Sequence, residues 1–144
     1  MKFNSLIPEL TVSDLQASFT FYTKILGFKE EYSRNGFRFL SLEKNQIMIQ
    51  SIECDTWQIA QLERPFGRGI NFQIQVTSLA FFIERLEKNN YPFFRAPQKN
   101  WYTVKNVEYG SYELLLHDPD GYLLRFFEDL GERIDKPSLS SQQL

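Results

Sequence analysis

The sequence has one cysteine, Cys54, and one histidine, His117. A single thiol excludes a disulfide within the chain and suits a reducing compartment. The lone imidazole lies beside a turn, and no Ser-His-Asp or Cys-His arrangement can be assembled around it. No stretch approaches the roughly eighteen consecutive apolar residues of a membrane-spanning helix. The segment after Lys2 is too short and too polar for a secretory leader. Neither charge sign dominates: 16 basic residues face 18 acidic ones, for a net charge of −2. That balance removes the usual reason to expect nucleic acid. These absences predict a cytoplasmic protein with no membrane and no nucleic-acid partner.

What the chain has is rings. Aromatic residues make up 16% of it, and 14 are phenylalanine. Such a surplus serves either a Phe-rich core or an apolar pocket or interface. At 144 residues the chain can bury a full core as one domain.

Read in order, Ser5 to Val12 alternates as a strand, with Pro8 marking an edge or an unpaired position. Ser13 and Asp14 open a helix, and Gln16 completes a capping box with Ser13. Leu15, Phe19, Tyr22, Ile25 and Leu26 form its apolar stripe, and Gly27 ends it. Three strands follow: Phe28 to Ser33, Phe37 to Leu42 after the Asn35-Gly36 turn, and Gln46 to Ile52. The segment from Glu53 to Gly69 reads as a linker with a short helix at Trp57–Leu62. The pattern then restarts. Ile70 to Val76 alternates, and Thr77-Ser78 opens a helix with the stripe Leu79, Phe82, Ile83 and Leu86. Tyr91-Pro92 starts a strand, and Gln98 to Val107 reads as a polar loop carrying Trp101 and Tyr102. The run from Lys136, rich in Pro, Ser and Gln, reads as a disordered tail.

The two halves match at an offset of 64: Val12-Ser13-Asp14-Leu15 aligns with Val76-Thr77-Ser78-Leu79. Each half reads strand, helix, three strands. The expected fold is therefore α+β, two βαβββ modules (about 4–52 and 69–128) forming a curved mixed sheet around a cleft. One domain spans 1–135 and the tail 136–144.

The last hairpin carries the most specific wording. Asp118-Pro119-Asp120-Gly121 is strong turn chemistry between two apolar runs, Tyr112 to His117 and Tyr122 to Glu128. Asp118-Pro119-Asp120-Gly121-Tyr122-Leu123-Leu124-Arg125-Phe126 resembles the closing hairpin of the glyoxalase/bleomycin-resistance/dioxygenase (vicinal oxygen chelate) superfamily. Pro8-Glu9-Leu10-Thr11-Val12-Ser13-Asp14, Phe21-Tyr22, Leu26-Gly27-Phe28 and Arg68-Gly69-Ile70-Asn71-Phe72 extend the resemblance over Leu6 to Glu128, closest to the bleomycin-resistance branch. The resemblance implies a divalent metal held on cleft-facing strands. Its ligand positions fall on Ile7, Gln50, Asn71 and Arg125. Ile7 has no donor atom, Gln50 and Asn71 offer neutral amides, and Arg125 repels a cation. The expectation is no metal and no cofactor.

The resemblance then implies a small-molecule binding (sequestration) protein, with no catalytic residues. The rival from another class is a lyase, isomerase or dioxygenase-type enzyme with a divergent site. The expected ligand is cationic and aromatic. Strand parity places Glu9, Asn71, Gln73, Glu113 and Arg125 in one cleft, with Phe39, Met48, Gln50, Trp57, Trp101 and Tyr102 around it. Glu113 joins Arg125 on one face only if the hairpin connection has an odd residue count. Arg125 then either pairs with Glu9 or Glu113, or meets an anionic ligand group. The relatives implied by the resemblance are homodimers that exchange their N-terminal strand, and Pro8 suits a hinge. A homodimer with composite clefts is expected.

Overall fold

Each half of the sequence builds a strand, a helix and three further strands. In the computed structural model, which describes residues 1–134, the first module comprises β1 (Glu9–Val12), α1 (Leu15–Thr20) continued by a π-helical turn (Phe21–Ile25), β2 (Lys29–Arg34), β3 (Phe37–Leu42) and β4 (Asn45–Ser51). The second comprises β5 (Asn71–Gln75), α2 (Leu79–Lys88), β6 (Arg95–Val104), β7 (Val107–His117) and β8 (Leu123–Ile134). The expected disordered tail lies outside the described residues. The strands order as β1-β4-β3-β2 and β5-β8-β7-β6. In each module the first strand runs parallel to the last, and the other pairs are antiparallel. The fold is α+β, two repeated βαβββ modules whose four-stranded mixed sheets are not closed.

Alternation gives each sheet one packed face. Leu10, Val12, Ile47 and Ile49 of the first sheet, and Ile74, Leu114, Leu116, Leu124 and Phe126 of the second, are buried. They join Tyr22, Leu26, Leu79, Phe82 and Leu86 from the helices in a single core shared by both modules. Phe82 of α2 stacks on Phe126 of β8 with ring centroids 4.8 Å apart. Burying each such side chain contributes about 1.5–3 kcal/mol. No helix is long and apolar enough to cross a membrane among the described residues.

Several local expectations are corrected. β1 starts at Glu9 rather than Ser5, because Pro8 has no N–H for a ladder and only its carbonyl is used, by the Met48 amide. Asp14, rather than Ser13, caps α1 by accepting from the Ala17 amide at 3.0 Å. Ser13 is engaged elsewhere, with Asp120. Residues 57–62 form no helix, and Trp57 and Ile59 stand fully in solvent. The largest correction concerns 98–107, which is strand and tight turn rather than loop. β6 pairs with β7 from Gln98↔Glu113 to Val104↔Val107. Lys105 and Asn106, both at positive φ, make the turn between them. The second sheet therefore extends well past the end that its hydrophobic pattern marks.

Candidate functional site

The geometry of the open face of the second sheet is set by the β7–β8 connection. His117 pairs with Leu123, so residues 118–122 form a connection of odd count. Pairing Leu114↔Phe126 and Leu116↔Leu124 then falls on the core side, and Glu113↔Phe127 and Leu115↔Arg125 on the open side. Glu113 and Arg125 thus share a face. The register slip lies at Gly110/Ser111, not at the turn glycine. Gly121 instead serves the turn itself. It has φ +100°, and a Cβ there would sit 2.7 Å from the Pro65 backbone.

The turn is pinned from within. One Asp118 carboxylate oxygen accepts from the Asp120 and Tyr122 amides, both at 2.9 Å. The other accepts from the Tyr22 hydroxyl at 2.7 Å. Burial raises the Asp118 carboxyl above its ordinary value, an effect the three hydrogen bonds partly offset. Burial, with Asp118 charge beside it, also pushes the Tyr122 hydroxyl to about 12. Asp120 takes the Ser13 amide and hydroxyl and an ion pair from Arg64 at 3.0 Å. His117 is structural: Nδ1 lies 3.0 Å from the Gly121 carbonyl and the ring meets Phe94 edge-on.

On the open face, Arg125 reaches to β5 and gives Nη2 to the Gln73 side-chain oxygen at 2.7 Å. Asn71 begins the same strand, opposite Leu123. Glu113 lies within 3.4 Å of the Tyr102 and Ser111 hydroxyls and 3.5 Å of the Asn100 amide. These contacts are long for bonds to a carboxylate, so its accepting capacity is largely unfilled. A recess of about 240 Å³ opens here, lined by Arg95, Gln98, Asn100, Tyr102, Glu113 and Leu115. A second cavity, of about 320 Å³, separates the N-terminal segment and β1 from β5, with Asn4, Leu6, Gln46, Asn71 and Gln73 on its wall.

The remaining candidate residues fall elsewhere. Glu9, Met48 and Phe39 form one row across the first sheet, with Gln50 two residues along β4. Phe39 is only 1% exposed, stacked on Tyr32 and covered edge-on by Phe3. Trp57 stands 97% exposed in the irregular segment between the modules. Trp101 alternates with Tyr102 on β6 and so projects from the face opposite Glu113. There it lies over Gly110, with the Arg133 guanidinium 3.9 Å above its ring. Gln98 and Asn100 were missed in sequence because 98–107 reads as loop, where parity has no meaning. Arg95 lies before a register shift in β6, and Ser111 on β7 one residue ahead of the apolar run that marks that strand. The polar alternation Gln98, Asn100, Tyr102 was the available signal.

The four positions implied to hold a metal do not fit one. Ile7 lies ahead of β1, Gln50 and Asn71 are neutral amides, and Arg125 presents a cation already bonded to Gln73. Among the described residues no three His, Cys, Asp or Glu side chains gather to hold an ion.

A family model described as Glyoxalase/Bleomycin resistance protein/Dioxygenase superfamily matches residues 3–126. No curated protein matches the sequence. Among solved structures, an integron cassette protein from the mobile metagenome of V. cholerae is 25% identical with TM-score 0.63, over 89% of this chain and 97% of that one. A related structure from the mobile metagenome of V. Pseudocholerae is 23% identical with TM-score 0.66, over 89% and 96%. A virulence protein from Salmonella typhimurium is 19% identical with TM-score 0.63, over 89% and 98%. The last two likenesses concern the fold alone.

Proposed function

The chain belongs to the glyoxalase/bleomycin resistance protein/dioxygenase superfamily, and on that footing we propose that it binds and sequesters a small organic molecule without a metal. The observation that carries this reading is Arg125. At the position where the family resemblance implies a metal-ligand carboxylate, the chain puts a guanidinium hydrogen-bonded to Gln73. A permanent cation there opposes a divalent ion by direct repulsion. The same face keeps what recognition needs: a recess, a ring at Tyr102, neutral amides at Gln98 and Asn100, and a carboxylate at Glu113. Glu113 with its long contacts suits an amine on an aromatic ligand. Homodimerisation belongs to the same proposal. Tyr102, Val104, Tyr109 and Ile134 leave apolar surface exposed on the end of the second sheet, and a partner subunit would cover it.

The test is a thermal-shift screen of planar cationic compounds run beside elemental analysis of dialysed protein. A rise in midpoint with compound and substoichiometric Zn, Ni, Mn and Fe is the expected result, since ligand bound to the folded state raises stability by mass action. One equivalent of metal that survives dialysis would overturn it and favour an enzyme.

A further inference from the structure

We propose that the open face of the second sheet also holds an anion subsite, built on Arg125 and Arg95, that takes a carboxylate group of the ligand. This rests on the small-molecule reading above and adds the chemical class of one ligand group. Sequence parity leaves two roles for Arg125, an ion pair with Glu9 or Glu113, or a contact with an anion. The first is not formed. Neither Arg125 nor Arg95 belongs to any ion pair among the described residues. Glu113 turns instead toward Asn100, Tyr102 and Ser111.

The two arginines stand in one row of the open face. Gln73, Arg125, Leu115 and Arg95 stand in register across β5, β8, β7 and β6. Two strand spacings separate the arginine backbones by roughly 10 Å, a gap that two long side chains close around one oxyanion. Arg125 is half-buried, so its charge is costlier to leave unpaired than a surface charge. Its Nε is buried with no hydrogen-bond partner, while Nη2 is fixed by Gln73. Nε with one Nη is the edge that binds a carboxylate side-on, through two parallel bonds. On binding, the guanidinium would release Gln73 on β5 and swing across β8 toward β7, which brings that edge to the recess. Leu115, between the two arginines, supplies an apolar floor for the body of the ligand.

The probes are benzoate and benzylamine, titrated at matched ionic strength into full-length ¹⁵N-labelled protein. The readout is the Nε–Hε resonance of Arg125, assigned by its loss in Arg125→Gln. Benzoate is expected to move that resonance saturably. Arg125→Gln should weaken benzoate by about tenfold or more, the scale of one charge-assisted contact, and leave benzylamine unchanged. An Arg125 resonance that stays still throughout the benzoate titration would overturn the subsite. So would benzoate affinity that is equal in wild type and Arg125→Gln. Benzylamine reports separately on Glu113. Benzylamine binding without benzoate binding removes this inference and leaves the parent reading. Benzoate binding alone upholds the subsite and removes the amine site.

Discussion

Thr77 gives its backbone N–H and its hydroxyl to the Glu43 carboxylate, at 2.9 and 2.6 Å. Ser13, 64 residues earlier, gives the same two groups to Asp120. In each case a carboxylate from the turn before the last strand of one module grips the strand-to-helix junction of the other. The repeat in the sequence is thus also a repeat in the contacts that join the modules. The copies differ in depth, since Asp120 is 1% exposed and also holds Arg64, whereas Glu43 is exposed.

That difference in depth predicts unequal costs. Asp120→Ala strips the Ser13 amide and hydroxyl of a buried acceptor and should lower stability by about 2–4 kcal/mol. Glu43→Ala leaves the Thr77 groups open to water and should cost about 0.5–1 kcal/mol. Urea unfolding of both variants checks the ratio, and equal costs would contradict the role assigned to burial.

Asp118 predicts a pH dependence. Burial raises its carboxyl in the folded state above the unfolded value, so the native protein holds this proton more tightly. Its contribution to stability is complete below the ordinary aspartate range and is lost as pH rises through the raised folded value. Above that value the contribution is constant. Asp118→Asn cannot titrate, so the stability gap between wild type and variant should narrow with rising pH over that window. Urea midpoints taken across the acid range measure it, and a gap independent of pH would refute the assignment.

The sequence made the modules legible wherever hydrophobic period was uninterrupted: the stripes of α1 and α2, the 64-residue offset, and the final hairpin all carry it. Arg125 and Glu113 could be related by parity up to one condition, an odd count between two well-marked strands, and residues 118–122 meet it. Parity failed where side chains on both faces are polar or solvent-facing. Gln98, Lys99, Asn100 and Thr103 carry no apolar alternation, so β6 was hidden and its neighbours could not be assigned a face. Trp101 shows the consequence. As a loop residue it could turn to the cleft, but on a strand its neighbour Tyr102 takes that side. The contacts that join the modules, Ser13 with Asp120 and Tyr22 with Asp118, span 107 and 96 residues. No local pattern announces such pairs.

Trp101 therefore carries its own prediction. Its ring lies on Gly110 and under Arg133, on the side away from Glu113. Trp101→Ala should destabilise the extended end of the second sheet by about 1–3 kcal/mol, from lost ring burial and the cation–π contact. Benzylamine affinity should stay close to wild type. Hydrogen exchange would show faster opening of residues near Gly110 and Arg133. A large loss of affinity with unchanged exchange would place the indole in the binding site after all.

Glu113 gives the sharpest test of ligand recognition. Its carboxylate has only long contacts, at 3.4 and 3.5 Å, and the recess beside it is lined by Arg95, Gln98, Asn100 and Tyr102 as well as Leu115. Removing charge while keeping shape, as in Glu113→Gln, should therefore disturb the fold little. Hydrogen bonds of that length are weak, and the new amide can still meet Asn100, Tyr102 and Ser111. An amine bound there would lose a charge-assisted bond and weaken by about 1–3 kcal/mol. Glu113→Asp keeps the charge but draws it back by one methylene, so its affinity should fall between the two. Isothermal titration of benzylamine into the three proteins reads the order directly. Equal affinities would remove Glu113 from the site, and an order set by side-chain length alone would make shape, not charge, the determinant.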